Sequence, residues 1–181
     1  MKHNIIRTNI LLFVMLYCTA VGVDVQAAGS IETAGDILVI ALPAAAAGMT
    51  LGFRDGQGVL ELGKSAALTL GVTYGLKFTI DEKRPNGDNQ SFPSAHASIS
   101  FASAEFLCKR YGWEYGIPAY VAATFVAFSR VESKQHYTHD VIIGVAIGIG
   151  SSYLFTKPYK DWHIQPDVGH AYYGIILSRS W

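Results

Sequence analysis

The sequence is poor in cysteine and in charge, and its few charges balance. Two cysteines, Cys18 and Cys108, stand among 181 residues, and Cys18 lies in an N-terminal apolar run. This number and spacing argue against a disulfide framework and against a zinc site built from cysteines. Lys plus Arg number 14, as do Asp plus Glu, so the chain lacks the basic excess of a nucleic-acid-binding protein. We therefore expect no nucleic-acid partner.

Apolar residues make up half of the chain, and charged residues only 15%. Such a composition is typical of a membrane protein, or of a soluble protein with a large helical core. The mean hydropathy of +0.25 is modest and leaves both classes open. No internal repeat or low-complexity linker divides the sequence, which predicts a single domain after the N-terminal segment.

The N-terminus has the pattern of a secretory signal. Lys2 and Arg7 supply its positive charge, residues 10–23 form an apolar run, and residues 25–27 offer a cleavage site. An uncleaved first membrane span has the same features. Residues 1–27 are therefore assigned to a signal peptide or to a first membrane span.

Five apolar segments follow, each with the length of a helix rather than of a strand. They are Ile37–Phe53, Val59–Leu76, Ala97–Cys108, Ile117–Phe128 and Val141–Phe155. The first is free of charged residues and about as long as the shortest membrane-spanning helix. We predict an all-α fold over residues 28–160, a helical bundle of five to six helices that is transmembrane. The tail, residues 161–181, has no assigned role.

The positions of Lys and Arg between these segments predict an orientation. If successive helices alternate in direction, five cations fall at one end of the bundle: Arg54, Lys109, Arg110, Lys157 and Lys160. Positive residues concentrate on the cytoplasmic side of membrane proteins, so loops 77–96 and 129–140 would face the periplasm. We expect the bacterial inner membrane as the location, with a soluble periplasmic protein as the alternative.

The two loops on the predicted periplasmic side contain most of the unusual polar residues. Lys77 and Arg84 lie in the first loop and Arg130 in the second, and each loop also carries histidine. Three permanent cations in an otherwise neutral, apolar chain need an anionic ligand. Phosphate suits them best, because the planar guanidinium group of arginine matches its oxygen atoms.

Helix geometry adds further candidates to this phosphate site. Ser94 precedes the third apolar segment, where an N-cap residue belongs, and the first N–H groups of that helix would point at the anion. His96 lies in the same first turn. His136 and Asp140 are four residues apart and would share one helix face. A carboxylate bonded to one ring nitrogen of His136 leaves the other nitrogen free to attack.

Three motifs carry a family resemblance: Lys77-x6-Arg84-Pro85, then Pro93-Ser94-Ala95-His96, then Ser129-Arg130-x5-His136-x3-Asp140. This pattern resembles the type-2 phosphatidic acid phosphatase and vanadium haloperoxidase superfamily over roughly residues 35–156. Three linked motifs in order are far more specific than any one alone. The resemblance implies a phosphatase acting on a phosphate ester, with a phosphorylated membrane lipid as the expected substrate.

The resemblance also implies a role for each residue. His136 attacks phosphorus and becomes a phosphohistidine, while Asp140 orients it. His96 protonates the leaving oxygen and then acts as base for water. The phosphate oxygens are held by Lys77, Arg84, Ser94, the backbone N–H of Ala95, and Arg130. No metal or other cofactor is expected, because the cations supply the positive charge.

Two departures from the family pattern are evident. Ala95 stands where the family usually has glycine; the backbone N–H survives this change, although φ is more restricted. The stretch between Pro85 and Pro93 is shorter than in the usual signature, which leaves little room for a lid. His139 beside Asp140 resembles part of a metal site, but no further ligand at a suitable spacing is evident. His139 is therefore interpreted as a non-essential neighbour.

Four functions are compatible with the sequence. The leading one is an integral membrane lipid phosphatase whose substrate is phosphatidic acid, phosphatidylglycerophosphate, undecaprenyl diphosphate or a lipid A phosphate. The second is a soluble secreted acid phosphatase of broad specificity. The third is a vanadate-dependent haloperoxidase, in which vanadate replaces phosphate. The fourth is a non-enzymatic protein that binds lipid phosphate, which fits less well because a binder needs no nucleophile.

Overall fold

A computed structural model describes residues 29–159, 162–169 and 172–179, the last two ranges by their backbone. The predicted signal peptide or first span, residues 1–27, lies outside the described residues. The elements are α1 (Gly29–Gly52), α2 (Gly56–Thr79), α3 (Ala95–Tyr111), α4 (Trp113–Glu132), α5 (Thr138–Phe155), β1 (Trp162–Gly169) and β2 (Tyr172–Arg179). Each predicted apolar segment falls on one helix, with only Phe53 lying beyond the end of α1. The all-α helical bundle is thus confirmed.

The C-terminal tail, to which the sequence assigns no role, forms an antiparallel hairpin. Trp162 pairs with Arg179 at its open end and Gly169 with Tyr172 at the turn. A lone two-stranded hairpin has little stability of its own. The assignment of residues 28–160 to one helical domain stays a prediction.

Short polar residues and glycine set the helix boundaries. Asp55 caps α2, where its Oδ1 accepts the N–H of Gly58 at 2.9 Å. Ser94 caps α3, as the sequence predicts, and accepts the N–H of Ala97 at 3.5 Å. Gly112 separates α3 from α4 with a φ of +99°. Glycine adopts this φ without strain, so the chain can reverse direction within one residue.

Helix α3 is the centre of the bundle and packs against each of the other four helices. Its approach to α5 is close because α5 carries glycine at the contact. A Cβ atom added to Gly144 would lie 2.5 Å from the carbonyl oxygen of Ser94, and one added to Gly148 would lie 2.3 Å from that of Ser98. Small residues let two helix backbones approach in this way. The N-terminal ends of α3 and α5 consequently lie side by side.

The polarity of α2 is the reverse of that expected for a helix in a soluble protein. Its buried face carries Ser65, Thr69 and Thr73, whereas Leu60 and Phe78 are 66% and 74% exposed. Apolar residues on the outside and small polar residues between helices favour a lipid surrounding. By length and composition, α1 and α5 are apolar enough to cross a membrane. These features agree with a membrane protein.

A buried ion cluster joins α2 to α3 at the end of the bundle where α3 finishes. The guanidinium group of Arg110 contacts both carboxylate oxygens of Asp55, at 2.6 and 2.7 Å, and Glu61 at 3.2 Å. Arg110 is one of the five cations predicted to share one end of the bundle, and its charge is neutralised inside the protein by these carboxylates. Of the other cations predicted for this end, Arg54 and Lys157 are exposed, and Lys160 lies outside the described residues.

Candidate active site

The three motifs meet at the opposite end of the bundle, where α2 and α4 finish and α1, α3 and α5 begin. All the site residues predicted from the sequence lie at this end. Hydrogen bonds between the helix ends hold it together: Ser94 N–H to the Asp140 carbonyl (3.1 Å), Lys77 Nζ to the Ser91 carbonyl (3.4 Å), and Arg130 Nη2 to the Glu32 carbonyl (2.7 Å).

His136 and Asp140 form a buried pair between α4 and α5. His136 lies in the loop before α5, and its backbone N–H donates to the carbonyl of Arg130 at 3.1 Å. Its Nδ1 is 3.5 Å from Oδ2 of Asp140, whose side chain is fully buried. That oxygen also accepts the backbone N–H of Tyr137 at 2.9 Å. A carboxylate on the Nδ1 side directs the other ring nitrogen, Nε2, toward a ligand.

The surroundings of His136 favour its neutral form. Burial lowers the pKa of His136 below its ordinary value, and the positive charges of Arg84 and Lys77 lower it further, against an opposing effect of Asp140. A neutral imidazole keeps the lone pair that a nucleophile needs. The cations that are predicted to bind phosphate therefore also favour the unprotonated form of His136, the predicted nucleophile.

Ser91 belongs to this site although no sequence motif indicates it. Its hydroxyl donates to Oδ2 of Asp140 at 2.5 Å and lies 3.5 Å from Nδ1 of His136. Its side chain is fully buried, and its backbone N–H donates to the carbonyl of Glu82 at 2.7 Å. Ser91 thus helps to hold the carboxylate in place. It lies between the first two motifs, where only tertiary structure shows that it faces Asp140.

Lys77 and Arg84 are held at the rim of the site by groups of the loops. Lys77, at the end of α2, is buried, and its Nζ donates to the carbonyl of Gln90 at 2.5 Å. Arg84 donates through Nη1 to Oε1 of Gln135 at 2.9 Å. Its buried Nε has no hydrogen-bond partner within the described part of the chain. A buried, unpaired donor on a cation is well suited to an anionic oxygen.

Arg130 and His96 converge on one oxygen atom of α1. Nη1 of Arg130 donates to Oδ1 of Asp36 at 2.8 Å, and Nε2 of His96 lies 3.1 Å from the same oxygen. The side chain of Arg130 is 3% exposed and that of His96 is 34% exposed. Asp36 stands outside the three motifs, at the start of the first apolar segment, and no sequence pattern marks it as a site residue.

The start of α3 supplies the remaining predicted residues, Ser94 and Ala95. Ser94 is fully buried and Ala95 is the first residue of the helix. Ala95 has ordinary helical backbone geometry rather than a positive φ. The position therefore does not require glycine, and the departure from the family pattern costs no backbone strain.

His139 has carboxylates on two sides. Its Nε2 is 3.0 Å from Oε1 of Glu82 and 3.1 Å from Oδ1 of Asp140. Glu82, like Ser91 and Asp36, is a residue of this site that no sequence pattern reveals. The ligand atoms of Glu82, His139 and Asp140 are close enough together for a possible metal site. However, the positive charges of Lys77 and Arg84 act on the neighbouring His136 and disfavour a further cation. Contacts of the His139 ring with the two carboxylates account for the distances.

The chain is similar in sequence to several known proteins. Residues 58–163 match the PAP2 superfamily. The lipid A 4′-phosphatase of Helicobacter pylori is 34% identical to this chain over 83% of the chain and 85% of its own length. The lipid A 1-phosphatase of Porphyromonas gingivalis is also 34% identical, over 46% of the chain and 20% of its own length.

Two solved structures share the fold. The crystal structure of Aquifex aeolicus LpxE superposes with a TM-score of 0.53 at 20% identity, over 66% of this chain and 83% of that one. The transmembrane PAP2-type phosphatidylglycerolphosphate phosphatase of Bacillus subtilis superposes with a TM-score of 0.50 at 21% identity, over 82% and 92% of the two chains. At these identities the likeness concerns the fold alone.

Proposed function

Because this chain belongs to the PAP2 superfamily, we propose that it is a lipid A phosphatase that removes the 4′-phosphate at the periplasmic face of the inner membrane. This membership, together with its lipid A phosphatase relatives, makes the chain a phosphatase that acts on a membrane lipid. The choice of lipid A follows its relatives. A 4′-phosphatase matches 83% of the chain, whereas two 1-phosphatases match 46% and 59% of it.

One observation carries the catalytic proposal. His136 lies between a fully buried carboxylate and two cations, at the point where the three motifs meet. A neutral imidazole backed by a carboxylate is the arrangement of a nucleophile whose positive intermediate must be stabilised. A residue that served only the packing of helix ends would need neither partner.

The reaction proceeds in two displacements at phosphorus. First, Nε2 of His136 forms a bond to phosphorus while the bond from phosphorus to the sugar oxygen breaks, and His96 donates a proton to that oxygen. Water then attacks the phosphohistidine and gives a proton to His96, the P–N bond breaks, and inorganic phosphate leaves. Asp140 compensates the positive charge on the phosphorylated ring.

Fixed donors take the role of holding the phosphate oxygens. Lys77, Arg84 and Arg130 provide three permanent charges, and the first N–H groups of α3, beginning at Ala95, add backbone donors beside Ser94. Such preorganised groups stabilise the charge that develops in the transition state without rearranging during the reaction. We therefore expect catalysis without a metal ion.

The membrane position follows from the two ends of the bundle. The site occupies one end, and the exposed apolar residues of α2 lie along the sides, where acyl chains of a lipid would run. Arg54 and Lys157, exposed at the other end, suit the cytoplasmic side. A lipid anchored in the outer leaflet would thus present its phosphorylated head group to the site.

The test uses the purified full chain in detergent with lipid A that carries both the 1- and the 4′-phosphate. Mass spectrometry of the products, with fragmentation that assigns the remaining phosphate to one sugar, identifies the bond that breaks. We expect loss of the 4′-phosphate, and we expect the His136→Ala variant to release none while still binding vanadate. Release of the 1-phosphate alone would correct the position, and release from other lipid phosphates only would exclude lipid A.

A further inference from the structure

Asp36 is the one acidic side chain of the described helices that contacts both a proposed phosphate ligand and the proposed general acid. Its Oδ1 accepts a hydrogen bond from Nη1 of Arg130 at 2.8 Å and lies 3.1 Å from Nε2 of His96. Its own side chain is 51% exposed on the site side of α1. No family motif and no step of the mechanism above accounts for this carboxylate.

The backbone of α1 holds Asp36 in this position. Gly35, the preceding residue, is buried against the end of α4: a Cβ atom there would lie 2.1 Å from Oγ of Ser129 and 2.6 Å from Nη2 of Arg130. One turn earlier, the carbonyl of Glu32 accepts a hydrogen bond from the same Nη2 at 2.7 Å. The helix therefore lies directly on the guanidinium group, and Asp36 reaches His96 with a short side chain that has little freedom.

We propose that Asp36 is the positioning residue of the general acid, as Asp140 is for the nucleophile. Its carboxylate accepts the Nε2–H of His96, which turns Nδ1 of the ring toward the leaving oxygen. Burial and the positive charge of Arg130 lower the pKa of His96, and the carboxylate of Asp36 opposes both effects, which favours the protonated imidazole that can donate a proton. Arg130 keeps the carboxylate oriented from the other side. This inference rests on the function proposed above.

The chemistry of the leaving group separates this role from others. An alkoxide leaving from a sugar is a strong base, so its departure needs a proton from His96. A nitrophenolate is a weak base and leaves without one. A residue that acts through His96 should therefore matter for an alkyl or sugar phosphate and matter little for 4-nitrophenyl phosphate. A residue that acts by binding phosphate, or by holding the fold, should affect both substrates alike.

The experiment compares kcat/KM for lipid A and for 4-nitrophenyl phosphate in the Asp36→Asn variant of the full chain. This ratio reports the step that expels the leaving group and leaves out the later attack of water, in which His96 acts as base for both substrates. General acid catalysis contributes about 10²- to 10⁴-fold, so we expect kcat/KM for lipid A to fall by about 10²-fold and kcat/KM for the aryl phosphate to change far less. The His96→Ala variant should show the same dependence on leaving group. Adding Asp36→Asn to His96→Ala should cost little more, because both changes remove one function.

The matched control is Glu132→Gln, which removes a carboxylate from the exposed face of α4, two residues after Arg130. Its ratio of the two kcat/KM values should equal that of the wild type. Equal losses on both substrates in Asp36→Asn would overturn the role in proton donation. A lower KM and a higher kcat in that variant would overturn it too, since Asp36 would then be competing with phosphate for Arg130.

The outcome also distinguishes the two proposals. A wild-type protein that hydrolyses neither lipid A nor any other lipid phosphate would defeat the proposed function. A wild-type protein that hydrolyses lipid A, together with an Asp36→Asn variant that shows no dependence on leaving group, would defeat the role of Asp36 alone. Retained elution volume in detergent and retained vanadate binding exclude misfolding of the variant as the cause of a loss.

Discussion

Replacing Asp140 with asparagine tests the electrostatic core of the proposed mechanism. The change keeps the shape of a fully buried side chain but removes the charge that faces His136. Nδ1 of His136 and Oδ2 of Asp140 are 3.5 Å apart. At an effective dielectric constant of about 20, two unit charges at this distance attract by about 5 kcal/mol. The wild type gains this attraction when the ring becomes positive on phosphorylation, and the Asp140→Asn variant lacks it.

About 5 kcal/mol corresponds to between three and four powers of ten in rate. We therefore expect kcat of Asp140→Asn to fall by about 10³- to 10⁴-fold, with slower formation of the phosphohistidine. The assay is rapid-mixing kinetics with quenching in alkali, which preserves a phosphohistidine, followed by phosphate release at steady state. Binding of vanadate should persist, because Lys77, Arg84 and Arg130 are unchanged.

The matched control is His139→Asn, which alters the other neighbour of the same carboxylate. His139 contacts Oδ1 of Asp140 at 3.1 Å, but its side chain is 57% exposed, so solvent screens the pair. We expect a change of kcat within a few-fold. A rate for Asp140→Asn within tenfold of the wild type, in protein of normal elution volume, would refute the view that Asp140 stabilises a positive His136.

We make four further predictions from the site and its packing. The pKa of His136 lies below its ordinary value, and the neutral ring is the proposed nucleophile. We therefore expect kcat/KM to stay high as pH falls through 6.5 and to decline only near the lower pKa that His136 has in the folded protein. A decline centred near 6.5 would contradict this direction. Because of the same shift, His136 binds more protons in the unfolded protein than in the folded protein between the two pKa values. Its contribution to stability is therefore present above pH 6.5 and is lost as pH falls toward the pKa of the folded protein. Thermal unfolding in detergent across this pH range measures the effect. Chelators should leave phosphate release unchanged and vanadate should inhibit it; loss of activity in EDTA that zinc restores would instead point to the Glu82–His139–Asp140 cluster. Gly144→Ala would place a Cβ atom 2.5 Å from the Ser94 carbonyl oxygen and should destabilise the protein by about 1–3 kcal/mol. Gly150→Ala is the control and should not destabilise it, because the space around Gly150 is open. Equal melting temperatures for the two variants would show that α3 and α5 do not pack this closely.

Local sequence is enough to predict the features of the site that depend on short spacings along the chain or on a helix cap. His136 and Asp140 are four residues apart, and the structure brings them together as expected. However, His136 lies in the loop before α5 rather than on a face of that helix. Ser94 is the N-cap of α3 because a short polar side chain can accept an N–H of the first turn. The five apolar segments fall on the five helices for the same reason: hydrophobic length is a local property.

Ser91 and Asp36 show what local sequence cannot indicate. Ser91 lies in an irregular stretch, and its bond to Asp140 spans 49 positions of the chain. Asp36 belongs to α1, and its contacts with Arg130 and His96 span 94 and 60 positions. Neither residue has a periodicity or a spacing that points to its partner. Arg110 is a related case, because a cation that local sequence places at a membrane surface is neutralised inside the protein by Asp55 and Glu61.

The order and spacing of the three motifs by themselves determined the family, the class of reaction and the proposed nucleophile, because those features depend on which residue types stand at fixed distances in the chain. The tertiary structure alone decided which uncharged and acidic residues complete the site. Gly144 and Gly148 let α3 and α5 approach, and Gly35 lets α1 lie on Arg130. The physical reason is that close packing of helices brings together atoms from distant parts of the chain, and the identity of such neighbours depends on the shape of the whole bundle rather than on any one segment.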